Sequence, residues 1–285
     1  EVVDLRTVVD HDAAVNILTA KDEKGLAALR HTTSHVMAQA VKRLYPNTKL
    51  AIGPSIADGF YYDMEFETPL TSDDFEKIEA EMKKIIKEGH ELKRFTLPRE
   101  EAIKFMKEKD EPYKVELIEE LPEGEEISFY DQGGFVDLCA GPHLMSTKGV
   151  KAFKLTASSM AYWRGDSNKA RLHRIYGTAY NKKEDLKAHL ERMEEAKKRD
   201  HNKLGREMEL FTTVDVIGQG LPLMMPKGTK MIMKLQRWIE DLEDKEWGYV
   251  RTKTPLMAKS DLYKISGHWD HYLDGMFVLG DPEKD

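Results

Sequence analysis

The chain has 285 residues, 33% of them charged and 40% hydrophobic, a formal net charge of −7 and a single cysteine. That length suits about two domains, and one cysteine excludes both an internal disulfide and a zinc finger built on paired CxxC motifs. No apolar run approaches the roughly 18 residues of a membrane span, and EVVDLRTVVD has neither the basic start nor the apolar core of a signal peptide, so a soluble cytoplasmic protein is expected.

In chain order, residues 1–20 read as short strands and turns, too few to bury a core. From about Gly25 to Tyr45, apolar residues at three- and four-residue spacing predict a helix that Pro46 ends. KLAIGPSIADGFYYDMEF reads as strand material around two glycine-containing turns, and residues 72–89 as an amphipathic helix with Phe75, Ile78, Met82, Ile85 and Ile86 on its apolar face. A strand in HELKRFTLP and a short helix at about 99–109 follow. Strands are expected around Tyr113–Ile118 and Ile127–Tyr130, then a glycine-rich stretch, DQGGFVDLCAGPH. Strands near Phe153–Ala157, Ala161–Arg164 and Leu172–Ala179 complete a mostly antiparallel α+β domain over 21–180. Residues 183–206 predict a polar connector helix. Beyond it come turn-rich sequence, a strong helix in MIMKLQRWIEDLEDKEW, a strand in YVRTKTPLM and a turn in GDPEKD.

The charge is unevenly spread. Residues 65–126 hold 11 basic and 20 acidic residues, whereas 148–206 hold 16 basic and 7 acidic. Within the basic segment, Arg164, Lys169, Arg171 and Arg174 interleave with Tyr162, Trp163 and Tyr176, a pattern suited to RNA backbone contacts and base stacking; a sheet with a charged outer face accounts for it equally well.

Several residues could carry chemistry. His31 and His35, four apart on the first helix, share a face about 40° wide, a spacing for metal ligation or paired acid–base work; composition alone supplies about 0.35 such pairs. Cys139 precedes His143 by four residues, with Gly141 and Pro142 imposing a turn between them. Helix and turn together could build a CysHis₃ tetrahedron or a metal-free acid–base cluster. The plain alternative is a buried, inert thiol among unrelated histidines. A thiolate nucleophile would need a base, which His143 or His35 could supply, but no protease signature flanks the cysteine. Asp137 would share Cys139's side of an extended backbone, there to bind an ammonium group or orient a histidine. Lys114, inside an apolar strand, either snorkels outward or handles protons and oxyanions. No P-loop or dinucleotide fingerprint occurs.

HTTSHVMAQAVKRLYP, AIGPSIADGFYYD, FVDLCAGPH, AYWRGDSNKARLHRIYGTAY and SGHWDHYLDGMF, in this order, resemble the threonyl-tRNA synthetase family over essentially the whole chain. The HxxxH…CxxxH set is shared with alanyl-tRNA synthetases and free-standing editing proteins; GHWDHY separates the threonyl family from them. The resemblance implies the tail of a β-grasp (TGS) domain at 1–20, an editing domain at 21–180, a linker helix at 181–204 and, at 205–285, the start of a class II catalytic domain of antiparallel α+β type. KEWGYVRTKTPLM would be motif 1, used at a homodimer interface. Residues that bind Mg-ATP, zinc and threonine for aminoacylation would lie beyond Asp285. The implied activity is hydrolysis of serine from the 3′ end of mischarged tRNA(Thr), with no membrane or DNA partner. His31, His35, Lys114, Asp137, Cys139 and His143 would do this chemistry, Asp137 and Tyr62 would hold the substrate, and Arg164, Lys169, Arg171 and Arg174 would contact tRNA. No metal is expected to be required, though His31, His35, Cys139 and His143 are the ligands if zinc binds. Two rivals are a free-standing trans-editing hydrolase and a non-catalytic zinc- or RNA-binding module.

Overall fold

The longest helix, α1 (Glu23–Leu44), buries an unbroken run from Thr32 to Val41, more than one amphipathic stripe would require. The computed structural model describes residues 2–68, 70 and 72–280, and it shows why: this helix is covered on several sides. On one side, strands β1 (Lys49–Leu50), β2 (Ser55–Ile56) and β3 (Gly59–Glu65) begin an antiparallel sheet. Helix α2 (Ser72–Glu88) packs beside α1, its Ile78, Met82 and Ile85 fully buried as the periodicity predicts. The sheet is completed by β7 (Ala152–Tyr162) and β8 (Arg171–Tyr180) in the order β1-β3-β8-β7, with β2 also on β3.

A second, three-stranded antiparallel sheet joins β4 (Leu92–Thr96), β5 (Ser128–Gln132) and β6 (Phe135–Leu138). Its own core is built with α3 (Arg99–Glu108) and α4 (Pro112–Glu120), where Phe129 stacks on Phe95 at 5.4 Å and meets Phe105 edge-on at 5.7 Å. The architecture is thus the expected mixture of helices and antiparallel sheet.

Local expectations fail at several places. Residues 113–118 form helix α4, not a strand. The alternation Tyr113, Val115, Leu117 mimics a strand, but Pro112 at the first helical position is pre-set for a helix start. Strand β6 was hidden in the glycine-rich stretch: Gly133 and Gly134, at φ 64° and 91°, make a two-residue turn that pairs Tyr130 with Asp137. The two strands expected at 153–157 and 161–164 are one strand, β7, with a bulge between Leu155 and Ala157, and Trp163–Gly165 is a 3₁₀ turn. Residues 2–22 hold no regular element, because β-branched sequence makes a strand only where another backbone is available to pair with it.

The chain divides into two compact units, one through Lys197 and one from Lys198. The expected continuous helix over 183–206 is two helices, α5 (Lys183–Lys198) and α6 (His201–Glu207), because the Asp200 carboxylate accepts from the Lys203 N–H and caps a new start. In the second unit, β9 (Phe211–Thr212) and β10 (Leu223–Met224) pair ahead of α7 (Pro226–Asp241), which ends in a π-helical turn. No strand forms across 249–257; among the described residues no strand pairs with it. The turn expected in GDPEKD falls almost wholly at 281–285, outside the described residues. No helix among the described residues is long and apolar enough to cross a membrane.

Candidate active site

Helix α1 offers His31 and His35 from adjacent turns, and β6 runs into the Cys139–His143 turn opposite them. The imidazoles of His31 and His143 approach to 4.2 Å between centroids, those of His35 and His143 to 4.4 Å. The Cys139 sulfur lies 3.3 Å from His31 Nε2 and 3.2 Å from His143 Nε2, and accepts from the Gly141 N–H at 3.2 Å. Beside this group, Lys114 Nζ of α4 is 2.6 Å from Asp137 Oδ1 and donates to the Tyr62 hydroxyl at 3.0 Å. Tyr62 donates in turn to Asp137 Oδ2, which also faces His35 Nδ1 at 3.6 Å. All six predicted catalytic residues and Tyr62 therefore meet in one place. Lys114 gets there from a helix and does not snorkel: it is 3% exposed, and Asp137 2%.

Burial sets the protonation of this cluster. It lowers His31 from the ordinary 6.5 to about 4, against the opposing pull of Asp137 and the Pro142 carbonyl. His35 and His143 are held well below the ordinary range, first by burial and then by neighbouring imidazoles. Burial also raises the Cys139 thiol to about 12, against the Gly141 N–H and the more distant charges of Lys114 and Arg94, and drives Tyr62 well above its usual value. At neutral pH the site is three neutral imidazoles around a protonated thiol.

One tautomer follows from the hydrogen-bond inventory. Thr32 donates its only hydroxyl proton to the Ala28 carbonyl at 2.9 Å and accepts from the Leu144 N–H at 2.9 Å. His143 Nδ1, 3.2 Å from the same oxygen, must therefore carry the ring hydrogen, leaving the Nε2 lone pair facing sulfur.

The four metal-type side chains, His31, His35, Cys139 and His143, have ligand atoms within 4.8 Å of one another. A tetrahedral zinc ion, with Zn–S of about 2.3 Å and Zn–N of about 2.0 Å, holds its donors roughly 3.5 Å apart. The observed sulfur–nitrogen distances fit that with small adjustments, and Thr32 supplies the outer hydrogen bond that orients a ligating histidine.

The proposed tRNA contacts are placed differently. Arg164 pairs with Glu116 and Glu120, Lys169 with Glu116 at 3.0 Å, and Arg174 makes a bidentate pair with Asp63 while lying 4.0 Å over the Tyr61 ring. Arg171 is exposed at the start of β8, opposite Tyr162. They gather around the β7–β8 turn, and three of the four are engaged by acids of α4 and β3.

The sequence reading missed Thr32 and Tyr130. Tyr130, 1% exposed, sets its ring 4.5 Å from that of His143. Its place was recoverable, since a two-residue Gly-Gly turn puts Tyr130 directly opposite Asp137. Thr32 carried no signal beyond its position next to His31.

Residues 127–176 match the family described as the threonyl and alanyl tRNA synthetase second additional domain. The whole chain is 64% identical over 285 residues to a threonine–tRNA ligase of Clostridium perfringens, covering 100% of this chain and 44% of that protein. It is 63% identical to one from Clostridium botulinum, with the same two coverages, and 57% identical to one from Acetivibrio thermocellus, of which it spans 45%. The chain thus spans less than half the length of these curated relatives.

Proposed function

We propose, for a chain whose whole sequence places it in the threonyl-tRNA synthetase family, that the cluster is a post-transfer editing site which hydrolyses serine from mischarged tRNA(Thr). The observation that carries this reading is the pairing of a neutral, buried imidazole group with a buried Lys114–Asp137 pair. A base in its unprotonated form and a cation beside it are what ester hydrolysis by water requires. In the same reading, residues 21–180 form the editing domain, 181–204 a linker, and 205–285 the beginning of a class II catalytic domain.

The need for such a site is thermodynamic. Serine lacks one methyl of threonine, and a missing methyl gives only about 1–3 kcal/mol of discrimination. A synthetic site selecting threonine therefore passes some serine, and a second pocket too small for the methyl removes it.

The cluster divides the work. The thiol has one proton and faces two Nε2 atoms, so one imidazole lone pair stays uncommitted. His143 is 3% exposed, whereas His31 is only partly buried; His31 is therefore the base, reached by water and substrate. The water oxygen bonds to the ester carbonyl carbon as His31 takes its proton. Lys114 has a third N–H free after serving Asp137 and Tyr62, and steadies the developing oxyanion or the water. Cleavage of the ester C–O bond returns the proton to the ribose oxygen, giving free serine and tRNA. Asp137, with about four acceptor positions and two occupied, holds the serine ammonium beside Tyr62. Cys139 stays protonated and forms no bond to substrate. His31, His35, Cys139 and His143 would hold zinc where it binds, and the ion would supply Lewis acidity and a more acidic water.

Deacylation of Ser-tRNA(Thr) and Thr-tRNA(Thr), with and without a strong chelator, tests the reading. Loss of the seryl ester with the threonyl ester spared is expected, at a rate the chelator leaves unchanged. A folded protein that spares both esters would leave a binding module; chelator inhibition would assign the water to a metal.

A further inference from the structure

The segment before α1 buries the wrong residue for ordinary packing. Asp4 is 9% exposed, while its apolar neighbours Val3 and Leu5 are 50% and 73% exposed. An irregular segment that turns its valine and leucine to water and its carboxylate inward is not held there by the hydrophobic effect. It is held by directed bonds. The Tyr130 hydroxyl donates to Asp4 Oδ2 at 3.0 Å. Asp4 Oδ1 accepts from the Arg6 backbone N–H at 3.1 Å and its guanidinium at 2.8 Å, and Arg6 also donates to the Met145 carbonyl at 3.0 Å. Asp4 and Arg6 thereby tie this segment to Tyr130 of β5 and to the backbone two residues past His143.

Tyr130 is the link inward. Its ring packs edge-on against His143 at 4.5 Å. Its hydroxyl passes so close to Gly141 that a β-carbon there would lie 2.3 Å from the oxygen, at a backbone φ of 76° that already favours glycine. His143 is thus held by Thr32 at Nδ1, by Cys139 at Nε2, and on its ring by His31, His35 and Tyr130. Of these neighbours, Tyr130 is the one tied by its hydroxyl to a partner from outside the two sheets and α1.

We infer that Asp4 is a positioning residue for the hydrolytic cluster, acting through the Tyr130 hydroxyl to set the orientation of His143; the inference rests on the editing reading for its kinetic consequence but not for its structural one. Without the carboxylate, the buried Tyr130 hydroxyl loses its partner and the ring shifts to find another, which displaces the imidazole packed against it. Small displacements of that kind cost rate rather than affinity, because the substrate is held elsewhere, at Asp137.

The test compares Asp4→Ala, Asp4→Asn, which keeps an acceptor oxygen, and Tyr130→Phe. Ring ¹⁵N resonances of His143 are recorded at one neutral pH, alongside steady-state hydrolysis of Ser-tRNA(Thr). In Asp4→Ala the His143 resonances should move and kcat should fall about ten-fold with KM within about two-fold. Asp4→Asn should restore both, and Tyr130→Phe should reproduce the defect with little further loss when combined with Asp4→Ala. Asp4 lies outside every helix and strand, so a circular dichroism spectrum unchanged from wild type is expected throughout. Unmoved His143 resonances in Asp4→Ala overturn the inference whatever the rates do. Moved resonances in a protein whose wild type spares Ser-tRNA(Thr) uphold it and remove the editing reading instead.

Discussion

A buried imidazole is a base kept ready and a stability cost in acid. His31 titrates near 4 in the fold, because of burial, against 6.5 ordinarily. As pH falls through 6.5 the unfolded chain gains a proton that the native chain refuses until about 4, so native stability is complete above 6.5 and declines through that window. His35 and His143 are shifted in the same direction by the same burial and steepen the decline. Urea midpoints should therefore drop between pH 7 and pH 5, and a flat profile would show the histidines to be solvated. The rate should tell the same story, since hydrolysis by a neutral His31 would keep its acid limb near 4 rather than 6.5, over the range where the fold survives. Cys139 makes the opposite case. A thiol raised to about 12 by burial is no nucleophile at neutral pH, so Cys139→Ala should still deacylate Ser-tRNA(Thr). A seryl thioester trapped on the wild-type chain, or loss of activity by orders of magnitude in Cys139→Ala, would restore the covalent route.

Short elements decide whether those residues meet. Helix α4 brings Lys114 to Asp137, which β6 presents. Lys114→Ala would strand a carboxylate that is 2% exposed, which costs about 3–5 kcal/mol where a buried pair is broken on one side. Adding Asp137→Asn to Lys114→Met should recover most of that stability while hydrolysis stays lost. A stability unchanged by Lys114→Ala would mean that water reaches Asp137. These two elements were also the ones least legible beforehand. The periodicity of α1 and α2 is long enough to specify a helix, and each sits within two residues of its expected bounds. Over nine residues, α4 offers too few turns to separate a helical stripe from strand alternation, and only Pro112 spoke for the helix. The candidate residues themselves were readable because His31 with His35 and Cys139 with His143 stand in short spaced pairs, to which the family resemblance adds Lys114 and Asp137. Thr32 and Tyr130 were not, because their roles come from the partners the fold gives them.

Across the first compact unit, charges far apart in sequence cancel in space. The acidic 65–126 segment and the basic 148–206 segment are paired through Glu116 with Arg164 and Lys169, Glu120 with Arg164, and Glu79 with Lys154. Counting charge by segment therefore overstates the positive surface available to phosphate. In the editing reading this matching sets how tightly tRNA is held: a site that must release a corrected tRNA gains from cations that are engaged until RNA displaces their partners. Glu116 is the place to test it, since its carboxylate serves Arg164, Lys169 and the Trp163 indole N–H at 2.8 Å. Glu116→Gln keeps an acceptor for the indole but removes the charge. Stability should change by less than about 1 kcal/mol, as partly exposed pairs contribute little. Affinity for tRNA should rise, and the slope of log K against log salt should steepen by up to about one unit as the freed Lys169 meets phosphate, Arg164 being still held by Glu120. Lys169→Ala in the same background should take that steepening back. An unchanged slope in Glu116→Gln would mean that the β7–β8 turn faces no RNA, leaving Arg164, Lys169 and Arg174 as ties within the domain and the bound tRNA to be sought on another face.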